Sequence, residues 1–264
     1  MKQKKIIYLS ALLLFIVSVK GFCAIDDFRI DANTLAIGET FAGDPQAQKY
    51  LNPAAVFQTQ RGQLFYTHTS MQPLDLGSQL LVINMGSISF ALLDERIQDV
   101  GGFEYKERMY QLSYGIKIGK GAGLGFNVRE YSSECGDFTN KAYAYDLAVV
   151  GSWTHFSLGA LIRDLGCNII SPVSEDEAIL PSSRVGVSVT LPYGGKINLD
   201  YDEKQQTYFG YQQEISHGLL FRAGIQGGEP RLGFGIRDQR ISFDYAYSIN
   251  QFCNEQRIAF GINF

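Results

Sequence analysis

After residue 24 the sequence has no apolar run long enough to cross a bilayer as a helix, which takes about 20 residues. Histidine and tryptophan are scarce, with three and one in 264 residues. The four cysteines stand far apart, and none has a histidine at metal-ligand spacing, so nothing points to a paired-ligand metal site. Basic residues are too few for a nucleic-acid partner, 23 against 27 acidic ones. A membrane protein of this composition must cross as a closed barrel, the other structure that satisfies every backbone group in lipid.

The first 24 residues differ from the rest. Met1 to Lys5 is basic, Ile6 to Val19 is almost wholly apolar, and Gly21 to Ala24 follows with small residues. This order is that of a secretory signal peptide, cleaved after Cys23 or Ala24. The apolar run is too short for a membrane anchor, and Lys20, Gly21 and Phe22 before Cys23 do not make a lipobox. Removing Lys2, Lys4, Lys5 and Lys20 leaves 19 basic against 27 acidic residues, a balance of -8.

From about residue 62 onward, short segments alternate apolar with small or polar residues, the signature of half-exposed strands. Ile241, Phe243, Tyr245 and Tyr247 would share one face, with Ser242, Asp244, Ala246 and Ser248 on the other. Ile258, Phe260, Ile262 and Phe264 repeat the pattern, as do Leu232, Phe234 and Ile236, and Val185, Val187, Val189 and Leu191. The polar face is rich in Gly, Ala, Ser and Arg, which suits a curved wall around a crowded interior. About fourteen segments result: 63–71, 77–86, 87–97, 107–119, 121–132, 141–153, 155–166, 182–192, 194–203, 206–216, 217–227, 229–239, 240–250 and 255–264. The pattern predicts an all-β, antiparallel up-and-down transmembrane barrel over 62–264.

Connections sort into two sets. Tight turns fall at Gly86-Ser87, Lys120-Gly121, Thr154, Tyr193-Gly194, His217-Gly218 and Asp238-Gln239. Longer connections fall in the opposite phase, at Gln98 to Lys106, Ser133 to Lys141, Cys167 to Pro181, and Asn250 to Asn254. Outer-membrane barrels pair short periplasmic turns with longer external loops in this way. Trp153, Phe156, Tyr193 and Phe264 would form a periplasmic aromatic girdle. Cys135, Cys167 and Cys253 lie in or beside external loops, where a Cys135–Cys167 disulfide and free thiols are equally good accounts.

Residues 25–61 do not alternate. Asp44 followed by Pro45 predicts a capped two-turn helix from Asp44 to Leu51, and Asn52-Pro53 predicts its end and a further short turn through Ala54, Ala55 and Val56. The order Gly38, Ala42-Gly43-Asp44-Pro45, Ala47 and Asn52-Pro53-Ala54 resembles the N-terminal hatch of FadL-like outer-membrane proteins, especially the PorV/PorQ branch. An Asp-x-x-Ala-x-x-x-x-Asn-Pro-Ala pattern precedes the first strand there, and Asp44 to Ala54 reproduces its spacing, with Ala55 where the family often has Gly. The resemblance implies a plug inside a fourteen-stranded barrel in the outer membrane, contacting lipid and acting as a monomer. The short mature chain implies trimmed external loops.

Candidate lumen charges are Lys117, Arg129, Arg163, Arg184, Arg222, Arg231, Arg237 and Arg257, balanced by Asp146, Asp200, Glu214 and Asp244. Charges at membrane depth must face water, protein or each other, so these either brace the wall and plug or line a carboxylate-binding passage. No cofactor site is apparent. Of the histidines, only His68, near Ser70, could suggest a lipid-modifying enzyme, and no third catalytic partner stands out. The expected function is passage of a hydrophobic or amphipathic small molecule through a plugged lumen. The alternative is a PorV/PorQ-like accessory barrel for a secreted protein or a type IX-like secretion complex.

Overall fold

A computed structural model describes residues 31–45, 48–58, 62–72, 76–100, 103–119, 121–136, 138–170, 177–249 and 253–264. The signal peptide and Ala47 lie outside them. One helix, α1, spans Ala32–Ala36, and a 3-10 turn spans Pro53–Gln58. The strands are β1 Gln63–Gln72, β2 Leu76–Met85, β3 Ile88–Val100, β4 Phe103–Gly119, β5 Ala122–Cys135, β6 Phe138–Ser152, β7 Phe156–Ile170 and β8 Glu177–Ile179. They continue as β9 Ser182–Thr190, β10 Gly195–Asp202, β11 Thr207–Ser216, β12 Leu219–Gln226, β13 Glu229–Arg237, β14 Ile241–Ile249 and β15 Asn254–Asn263.

Each strand pairs antiparallel with its neighbours, and β1 pairs with β15 from Gln63↔Asn263 to Gln72↔Asn254, which closes the sheet. The three-residue β8 only adds to the end of β7, so fourteen strands form the wall. Closure removes the unpaired edges that an open sheet would expose. The outer face is apolar all round. Phe90, Leu112, Phe126, Leu147, Leu199, Phe221, Leu232, Ile241 and Phe260 are all exposed there. A bilayer covers such a surface; water would not. At the turn end Tyr193 and Phe264 are 94% and 68% exposed, and Trp153 stacks on Phe156 with ring centroids 4.7 Å apart, as a girdle requires.

Two expectations about the far end need correction. The segments predicted as loops at 98–106 and 133–141 are mostly strand: β3 runs to Val100, β4 starts at Phe103, and β5 and β6 are separated only by a turn at Gly136. Strands β3 to β7 have 13, 17, 14, 15 and 15 residues, against 8 to 10 for β9 to β15. Above the apolar band the outward residues become polar, as at Asp94, Arg96 and Arg108. Backbone pairing continues there, while the hydrophobic alternation that marks a strand stops. Another far-end connection, Gly227-Gly228, is as tight as any near-end turn. The alternation of the two ends holds; the contrast in loop length does not.

Candidate functional site in the plugged lumen

Residues 31–45 and 48–58 lie within the barrel. Asp31 caps α1, its carboxylate accepting from the Thr34 N–H at 3.1 Å and the Thr34 hydroxyl at 2.7 Å. Every residue of α1 is buried, and the helix packs against β12 to β15. The 3-10 turn packs on the opposite arc, β4 to β6. Asp31 N–H donates to the Tyr50 hydroxyl at 3.0 Å, tying the two parts of the segment together. Wall glycines let the plug backbone approach closely. A Cβ at Gly210 or Gly224 would collide with Ile37 and Gly38, one at Gly159 with Ala42, one at Gly186 with Gly43, and one at Gly125 with Pro53 and Ala54.

Polar side chains then fix the segment. Asp200 accepts from the Phe41 and Ala42 N–H groups at 2.7 and 2.8 Å. Ser157 donates to the Gly43 carbonyl at 2.7 Å, and Gln111 to the Tyr50 carbonyl at 2.6 Å. Asn52 donates to the Ala42 carbonyl at 3.0 Å and accepts from Ala54 N–H at 3.1 Å, so it caps the turn that Pro53 opens, as the sequence predicts.

The predicted helix from Asp44 to Leu51 does not form among the described residues, where Pro45 and Lys49 to Leu51 make turns. The Asp44 carboxylate is drawn instead to the Lys196 ammonium at 3.0 Å.

Nine of the predicted lumen charges reach the interior. Arg129, Asp146, Asp200, Arg222, Arg231, Asp244 and Arg257 are buried, and Arg163 and Arg184 half-buried. Arg129 bridges Asp146 and Asp164, the latter at 3.0 Å, and Arg222 lies 2.7 Å from Asp244. Arg231 pairs with Glu39 of the plug. Arg184 donates to the Glu39 carbonyl at 3.1 Å and lies between the Phe41 and Tyr208 rings, 4.5 and 3.9 Å from their centroids. Lys117, Glu214 and Arg237 are exposed near the turn end, where they meet no demand for burial.

The sequence reading missed Glu39 and Lys196. It also missed Asp31, although Asp31-Ala32-Asn33-Thr34 is itself a capping signal.

Burial raises the Asp31 carboxyl's pKa despite its Thr34 bonds, and raises the Tyr50 phenol. Burial acts in the same direction on Glu39, but Arg231, Arg257 and Arg184 outweigh it and hold that carboxyl below its usual range. Burial pushes the Lys49 ammonium down to about 8.

Among the tall strands, a cavity of about 250 Å³ opens between β3 and β7, lined by the apolar Leu93, Met109, Ala142 and Ile169, by Tyr105 and Tyr131, and by polar residues that include Glu107, Arg108, Asn140 and Lys141. Its apolar lining continues through Ala144, Cys167 and Ile179. Cys167 is a free thiol, so the Cys135–Cys167 bridge is not made.

Beside this cluster the wall loses its regular ladder. Pairing of β7 with β9 ends at Arg163↔Ser182, and pairing with β8 resumes at Cys167↔Ile179. Asp164 and Gly166 both take positive φ there, 60° and 65°, and the β6–β7 register shifts twice. His68 and Ser70 lie elsewhere, on the outer face of β1, and no hydrogen bond joins them among the described residues.

No protein-family model and no curated protein matches the sequence. Solved structures do match in shape. A Pseudomonas aeruginosa FadL homologue aligns with TM-score 0.61 and 11% identity, over 93% of this chain and 99% of that one. The toluene transporter TodX of P. putida gives 0.58 and 11%, over 89% and 98%. The toluene transporter TbuX of Ralstonia pickettii gives 0.57 and 11%, over 94% and 99%. At such identities the likeness establishes the fold.

Proposed function

We propose that the mature chain is an outer-membrane barrel that takes up a small hydrophobic or amphipathic compound. The observation that carries this reading is the cavity of about 250 Å³ on the far side of the plug, where the apolar Leu93, Met109, Ala142 and Ile169 meet the polar Glu107, Arg108, Asn140 and Lys141, beside the irregular stretch of β7. An engineered apolar cavity of about 150 Å³ already accepts benzene, so this volume suits a compound of one substituted ring or a comparably short chain. The structural neighbours named as toluene transporters support this choice. The plug is held by buried bonds on both arcs, so the compound leaves sideways near Gly166, between the end of the β7–β9 ladder at Arg163↔Ser182 and the start of the β7–β8 ladder at Cys167↔Ile179. The polar floor favours that route over descent through the lumen.

Uptake of labelled toluene and octanoate into cells lacking their own transporters tests the reading. Expression of the chain should raise uptake, and Ala142→Trp, which fills the cavity, should reduce it about tenfold while leaving the heat-modifiable gel mobility unchanged. No uptake above the empty control would remove the transport reading. The alternative is then a PorV/PorQ-like accessory barrel serving a secreted protein, which the firmly seated plug favours.

A further inference from the structure

The cavity between β3 and β7 has two tiers. Leu93, Met109 and Ala142 are buried and face inward, and register joins them with Tyr131 and Ile169 in one row, Leu93–Met109–Tyr131–Ala142–Ile169. Alternation makes Glu95–Glu107–Ser133–Asn140 the next inward row, farther from the membrane. Two residues of strand set the rows about 7 Å apart, so a guest in the cavity has carbon along one side and polar groups at the other.

Among the described residues, that polar row carries no positive charge. Glu107 accepts a hydrogen bond from the Tyr105 hydroxyl, and no cation pairs with it among the described residues. Arg108 and Lys141 border the cavity, but alternation turns their side chains to the outer face, where Arg108 lies 3.8 Å from Glu134 and 4.0 Å from Asp94. Lys106 faces the same way, opposite Glu134. One row nearer the membrane, Arg129 is held by Asp146 and Asp164. Glu95 stands directly opposite Glu107; it has interactions of its own and offers Glu107 no counter-charge.

The row also has a spare acceptor, because the Asn140 amide oxygen is buried without a hydrogen-bond donor. An orphan acceptor beside a carboxylate that has no cation suits a guest bringing both positive charge and N–H groups.

We propose that the cavity selects primary amines with a short apolar body, such as arylalkylamines. The ring or chain packs on Leu93, Met109, Ala142 and Ile169, and the ammonium donates to Glu107 and to the Asn140 amide oxygen. An ammonium has three donors, enough for Glu107, Asn140 and Ser133 together, whereas an alcohol has one and a carboxylate none. Glu107 would also repel a carboxylate. Selectivity of this kind rests on the uptake reading for its physiological purpose, yet binding is measurable without transport.

Calorimetric titration of the purified barrel in lipid nanodiscs at neutral pH, with 2-phenylethylamine, 2-phenylethanol and phenylacetate, tests it. The amine should bind at least about tenfold more tightly than the alcohol, with phenylacetate weaker still. Glu107→Gln should lower amine affinity about tenfold and leave that of the alcohol unchanged, and Asn140→Leu should lower amine affinity about threefold. Ala142→Trp should weaken amine and alcohol alike, which places both in this cavity. The three compounds compared on the unaltered chain decide the matter even if a variant misfolds. Equal binding of amine and alcohol, or an undiminished amine preference in Glu107→Gln with parental heat-modifiable mobility, would overturn the proposal. Toluene uptake judges the transport reading separately: amine-selective binding without uptake would remove transport and keep the site, and uptake without amine preference would do the reverse.

Discussion

The two arcs of the barrel wall solve the same packing problem with different chemistry. On β1 to β4 the buried inward residues include Phe65, Leu80, Val82, Ala91, Leu93 and Met109, which form one cluster with Leu35, Tyr50, Leu51 and Ala54 of the plug. On β9 to β15 the inward positions carry Arg184, Asp200, Arg222, Arg231, Asp244 and Arg257, of which Arg184, Asp200 and Arg231, with Lys196, hold residues 39–44 through directed bonds. Apolar contact is tolerant of shape and leaves room for the 250 Å³ cavity. Directed bonds are not tolerant, because each unmet buried donor costs about 1 to 3 kcal/mol. The charged arc therefore clamps residues 39–44, while the apolar arc, which adds the Gln111 bond to the Tyr50 carbonyl, is the part with room for a guest.

The largest effect should come from breaking the clamp at Asp200. Asp200→Ala leaves the Phe41 and Ala42 N–H groups buried without an acceptor, a loss of about 4 kcal/mol in plug docking. Hydrogen exchange at residues 41–44 should rise about a thousandfold while the strand amides stay protected. If exchange rises equally at Tyr50 and Leu51, the two arcs do not act separately.

Steric crowding on the same side of the plug should have the next largest effect. Gly159→Val drives a side chain into the Ala42 carbonyl, and overpacking of this kind costs about 2 to 3 kcal/mol. The control is Gly77→Ala, whose added methyl meets nothing closer than 3.9 Å. It should change stability by less than about 0.5 kcal/mol, as surface substitutions do. Midpoints of the heat-modifiable mobility shift, taken with exchange at 41–44, distinguish the two.

How much of this was legible in the sequence follows from the range of the forces. The wall was legible because lipid on one side and a crowded lumen on the other impose period two on each strand, as in Ile258 to Phe264. Pairing above the lipid was not, since Asp94 to Arg96 and Lys106 to Arg108 break the apolar alternation without breaking the ladder. The charges at Arg129, Asp200 and Arg231 were legible as inward by parity, but their partners were not. Asp44 shows why: a local capping preference gave way to Lys196, 152 positions along the chain. Glycine in the wall read as curvature, whereas Gly159 and Gly224 are places where another backbone rests.

On the apolar arc, Met109→Ala should cost about 2 kcal/mol, the low end for such truncations, because Met109 already borders empty space. Exchange at 41–44 should not change, and uptake should extend to bulkier compounds. A variant that instead loosened residues 41–44 would show that the cavity and the clamp are coupled.

The smallest effects should come from pH, because each acts through one group of the plug. Glu39 has its carboxyl held below the usual value of 4.5, so its contribution is complete above 4.5 and disappears as pH falls through the lowered value. Protection at residues 39–44 should therefore decline in acid, and Glu39→Gln should abolish that decline. Lys49 is displaced downward, from 10.5 to about 8. Between those values the unfolded chain holds the proton and the docked plug does not, so docking should strengthen as pH rises from about 8 to 10.5. That gain should appear at Lys49 to Leu51 and vanish in Lys49→Met. Two windows, each confined to its own stretch of the plug, would mean that the arcs bind it independently; a single transition spread over residues 31–58 would mean that the plug docks as one unit.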